Sequence, residues 1–117
     1  MNPNIDQLVR DLFQSRQDRD RDKFEKTFSA VQQLQLHQVN LDELLRKILN
    51  AQLSVDAVAL FLAIVAIHSP LEERLLVPDF FKQHDEAPLE LIKKFTIFSD
   101  QFIARAEART RANAGNN

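Results

Sequence analysis

The longest apolar run in the chain, residues 57–67, lies inside "DAVALFLAIVAIHSP", between Asp56 and the triplet His68-Ser69-Pro70. A helix that crosses a membrane needs about 20 apolar residues, and this run has eleven. That length specifies a helix that is apolar on every side, and such a helix must be surrounded by others. Ser54 is placed to cap its start by accepting orphan first-turn N–H groups. Pro70 ends it, because the residue before a proline is pushed out of the α region. The run therefore predicts a central helix over about residues 55–68, with the rest of the chain packed round it.

The flanking sequence supplies that packing. Ile5, Leu8, Val9, Leu12 and Phe13 recur at helical spacing behind Asn4, a candidate N-cap. The pattern lapses at Gln17 and Asp20, then resumes as Phe24, Phe28, Val31 and Leu34. Asn40 precedes a third stripe, Leu41, Leu44, Leu45, Ile48 and Leu49, with Glu43 in the capping-box position. Pro70 can open a short helix over "PLEERLLV", and "DFFKQH" adds a turn or two. Leu89, Ile92, Phe95, Phe98, Phe102 and Ile103 form a last, long stripe behind Pro88. Strand alternation is absent. The expected fold is all-α, a single compact bundle of five to seven helices around the central one. Residues 1–106 form one helical domain, and residues 107–117, where the apolar stripe stops, a disordered polar tail. A chain of 117 residues can bury enough surface for one domain without staples.

Composition removes several chemistries. With no cysteine there are no disulfides or thiolate ligands, which fits a reducing, cytoplasmic location. Gly115 is the single glycine, so no loop can cradle phosphates or a dinucleotide by close backbone approach. The N-terminus lacks the basic-then-apolar pattern of a signal peptide. A net charge of −2 argues against a dedicated nucleic-acid binder. It is, however, unevenly spread: residues 36–90 carry nine acids and four bases, residues 91–117 five bases and two acids. Lys93, Lys94, Arg105, Arg109 and Arg111 form a basic C-terminal helix, and weak nucleic-acid binding through it is one alternative function.

Two motifs invite metals. Asp18, Asp20 and Asp22 occupy positions 1, 3 and 5 of a calcium loop, but Lys23 stands where the turn needs glycine and Ser29 where the loop needs a bidentate acid. The stretch reads instead as a solvated segment with pairs such as Arg21–Glu25. His84-Asp85 resembles the His-Asp pair of the HD-type metal-dependent phosphohydrolases, an all-helical family. The resemblance implies a metal held by His68, His84 and Asp85, with Asp100 as the downstream acid, activating a water. It rests on a dipeptide in "KQHDEAP".

No serine sits on the strained, glycine-flanked turn that presents a nucleophile, and no cofactor is implied. The favoured expectation is a small helical protein–protein interaction module, an adaptor, accessory or regulatory protein without catalysis or membrane insertion. Its partner is another protein, with a homodimer expected. The candidate docking residues are Leu8, Leu12 and Phe13 on the first helix. Ala59 and Ala63 are the second choice, because with Ala66 they form a small-residue stripe that lets a helix approach closely.

Overall fold

The computed structural model describes residues 4–114, and their side chains as far as residue 111. Six α-helices are present among the described residues, and no strand: α1 (Ile5–Gln17), α2 (Arg21–Gln32), α3 (Leu41–Leu49), α4 (Val55–Ile67), α5 (Leu76–Gln83) and α6 (Leu89–Ala114). Two 3-10 turns, Leu36–Gln38 and Leu71–Leu75, lie before α3 and α5. The all-α bundle expected from the sequence is the fold observed.

The apolar run occupies the centre. Every residue of α4 from Ala57 to Ala66 is buried. Its most extensive neighbour is α6, and α1 and α2 cover other sides. Side chains from α1, α2, α3, α5 and α6 complete one continuous core with it, including Val9, Val31, Leu44, Val77 and Leu91.

The expected caps form. Asn4 accepts from the Gln7 amide at 3.2 Å, and Ser54 accepts from the Ala57 amide at 3.1 Å. Asn40 accepts from the Glu43 amide at 3.1 Å, but the Glu43 carboxylate turns to Lys47 at 3.1 Å. The capping box is therefore half made. The acid-rich stretch is the turn between α1 and α2. Asp18 ends α1, and Asp20 caps α2 through the Lys23 amide at 3.2 Å. Of the pairs foreseen there, Arg21–Glu25 forms at 3.3 Å.

Two helices end on left-handed residues that are not glycine. Arg19 has φ 56° and Ala51 φ 58°. The Asp20 amide then donates to the Ser15 carbonyl at 2.9 Å, and the Gln52 amide to Lys47 at 2.8 Å, closing the six-to-one bond of a Schellman end. With glycine missing from both positions, each carries a steric cost.

At the C-terminus α6 continues to Ala114, so the polar segment from residue 107 extends the helix instead of leaving it at once. Glu107 and Arg111 pair across one turn at 4.0 Å, and the Ala/Arg/Glu content favours helix without burial. Residues 115–117 of the expected tail lie outside the described residues.

Candidate functional site

The residues singled out from sequence have different fates. Leu12, Ala59 and Ala63 have no exposed surface. Leu8 and Phe13 are partly buried against the same core. The first-helix stripe and the alanine stripe are therefore used in folding the monomer, and Leu12, Ala59 and Ala63 offer nothing to a partner. The physical reason is the one that made α4 central: an all-round apolar helix takes its neighbours from its own chain.

The HD-like set is not assembled. His84 ends α5 and lies between two carboxylates, with Nδ1 3.0 Å from Glu86 and Nε2 3.3 Å from Asp42. Its ring also stacks on Phe80, 4.1 Å between centroids. These contacts tie the end of α5 to the start of α3, which is a structural latch. The hydrogen bond to His84, followed by one to its own backbone, holds the Glu86 carboxyl below its ordinary value. Asp85 sits in an exposed turn. His68 ends α4, where Nδ1 lies 2.8 Å from the Ile64 carbonyl and Nε2 3.1 Å from the Gln32 amide nitrogen. A carbonyl only accepts, so Nδ1 carries the proton, and Nε2 accepts from Gln32. Its lone pair is thus already used. Among the described residues no three His, Asp or Glu side chains are grouped to hold a metal ion.

What the structure assembles instead was not visible in the sequence. A cleft of about 400 Å³ opens between α1, α2, the end of α4 and the distal half of α6. Its floor is apolar, formed by Phe24, Phe28, Ile67, Phe102 and Ala106. Phe24 and Phe28 stack at 5.7 Å, and Phe28 meets the His68 ring edge-on at 5.5 Å. Three guanidinium groups rim this floor, those of Arg16, Arg105 and Arg109. Arg16 lies over the Phe98 ring at 5.1 Å and Arg105 over Phe102 at 5.9 Å.

The electrostatics of the rim are unbalanced. Among the described residues no carboxylate lies within ion-pair distance of Arg16, Arg105 or Arg109, whereas Lys94 meets Asp56 at 3.8 Å and Arg111 meets Glu107. Burial, and then the nearby charge of Arg105, lowers the Arg16 pKa from its ordinary value. Both effects disfavour the cation, and an anion in the cleft would offset the repulsion between the two guanidinium groups. A larger cleft of about 510 Å³ between α1 and α3 differs in this respect. There Lys47 is held by Asp6 and Glu43, whose hydrogen bonds raise its pKa, so its charges already satisfy one another.

The basic C-terminal helix thus divides: Lys94 and Arg111 are paired within the chain, while Arg105 and Arg109 face the cleft. In comparisons with protein-family models, curated proteins and solved structures, the chain matched none. No helix among the described residues is long and apolar enough to cross a membrane.

Proposed function

We propose that the protein acts by binding another polypeptide, and that the cleft between α1, α2 and α6 is its docking site. One observation supports this above the others. Arg16, Arg105 and Arg109 converge on a phenylalanine floor, and none of them is ion-paired among the described residues. Guanidinium groups over apolar surface favour carboxylates, which they can hold in paired, charge-assisted hydrogen bonds. The floor favours large aliphatic or aromatic side chains. The partner segment is therefore both acidic and apolar. The adaptor or accessory role inferred from the sequence is retained, with the docking surface moved from Leu12, Ala59 and Ala63 to this cleft.

The test is affinity capture with the wild-type chain and an Arg105→Glu variant as parallel baits. Proteins that dock here are recovered by the first and lost from the second. Recovery that is equal in the two baits removes the cleft from the function.

Nucleic-acid binding is the second reading, favoured by the interleaving of Arg105 and Arg109 with Phe102. Acids nearby oppose it: Asp20 beside Arg16 and Arg105, and Glu107 beside Arg111. Affinity that falls steeply with salt would establish it, and undetectable binding at low salt would eliminate it.

A further inference from the structure

The chain carries on its own surface a segment whose chemistry matches the cleft. The 3-10 turn Leu71–Leu75 runs directly into α5. Leu71, Leu75 and Leu76 on this rod are 72%, 63% and 43% exposed, and Glu72 and Asp79 beside them are exposed as well. These five positions make an irregular exposed stripe along the 3-10 turn and the start of α5, with Glu72 between Leu71 and Leu75 and Asp79 one turn beyond Leu75 and Leu76. Isolated exposed aliphatics such as Leu49 and Ile97 are ordinary on a protein surface, but adjacent ones on a helix mark a contact. An amphipathic helix laid in an apolar groove is a recurring recognition mode.

We propose that the cleft receives the Leu71–Leu75–Asp79 stripe of a second copy of this chain. This rests on the docking reading above and names its partner. The leucines would cover the Phe28 and Phe102 floor, and Glu72 and Asp79 would supply carboxylates to Arg16, Arg105 and Arg109, which form no ion pair among the described residues. Position favours a closed assembly. His68 lines the cleft and Leu71 opens the stripe, three residues further along the chain. Arg74 fixes the connection, donating to the Ile67 carbonyl at 3.0 Å and to the Ser69 carbonyl at 3.4 Å. With donor and acceptor surfaces side by side, one two-fold axis can seat both stripes in both clefts, an isologous dimer.

Charge reversal tests this on the whole chain by light scattering behind a sizing column, with circular dichroism confirming that each variant is folded. The wild type is expected at twice its 13.5 kDa chain mass. Arg105→Glu with Arg109→Glu should weaken the dimer at least about tenfold, because like charges then face each other. Glu72→Lys with Asp79→Lys should do the same. An equimolar mixture of the two variants should recover the dimer mass, since each surface again meets its opposite. A wild-type chain that stays monomeric at high micromolar concentration overturns the proposal. So does a dimer indifferent to both reversals, or a mixture that fails to pair. A monomeric chain that still captured another protein through Arg105 would leave the docking reading standing and eliminate the second copy alone.

Discussion

Leu12 separates two accounts of the first helix, and Leu12→Ala decides between them. The side chain has no exposed surface and belongs to the core shared by α1, α2 and α4. Truncation removes three carbon groups, at about 0.8 kcal/mol each for transfer alone, or about 2.4 kcal/mol. The cavity left behind raises the total to about 2.5–4 kcal/mol, within the span of buried leucine truncations. For a domain of this size that lowers Tm by roughly 10–20 °C. The chain contains neither tryptophan nor tyrosine, so urea unfolding followed by far-ultraviolet circular dichroism is the suitable assay. The reasoning fails if the variant loses less than about 1 kcal/mol while partner capture disappears, since Leu12 would then be a contact surface. Leu12→Asp, which would be the natural probe of a docking face, is expected to unfold the monomer instead, because it buries an unpaired charge.

Other outcomes follow from particular contacts. Ala51→Gly should stabilise the protein by about 0.5–1 kcal/mol in the same assay, since φ 58° is costly for alanine and free for glycine. Asp6→Asn should remove a contribution that depends on Lys47. The lysine pKa is raised by its hydrogen bonds to Asp6 and then Glu43, so the stability difference between wild type and variant is present from neutral pH up to about pH 10.4 and fades above it as the folded-state lysine deprotonates. Glu86→Gln tests the opposite limb. Glu86 titrates below its ordinary value because of His84, so the wild-type advantage is present above about pH 4.3 and is lost as pH falls through the lower folded value. Both differences are read from urea midpoints collected across pH.

The fold was largely legible because its strongest signals are local. An eleven-residue apolar run between Ser54 and Pro70 leaves a helix few options, and Asn4, Asn40 and Ser54 mark starts through bonds that span three residues. Asp20 was missed as a cap because its neighbours resembled a calcium loop, although an acid before an apolar stripe is itself a start signal. The cleft was illegible for a different reason. Arg16 and Arg105 meet only because α1 and α6 pack on neighbouring sides of α4, and no short-range pattern reports that. Phe24, Phe28 and Phe102 sat on stripes that look like core, and helical spacing does not tell a covered stripe from an open one. The proline-led helix start in "PLEERLLV" says nothing of which leucines are covered, and Leu71 and Leu75 face outward. The histidine of the His-Asp dipeptide is accounted for by a latch, His84 between Asp42 and Glu86, while Asp85 lies in an exposed turn.

The most direct measurement places a photo-crosslinking benzoylphenylalanine at Phe102, on the cleft floor, and in a parallel chain at Leu49, an exposed aliphatic at the end of α3. After irradiation in cells, the account predicts a discrete protein adduct from position 102 and none from position 49. No adduct at 102, or the same adducts at both positions, would contradict the claim that this protein works through its arginine-rimmed cleft.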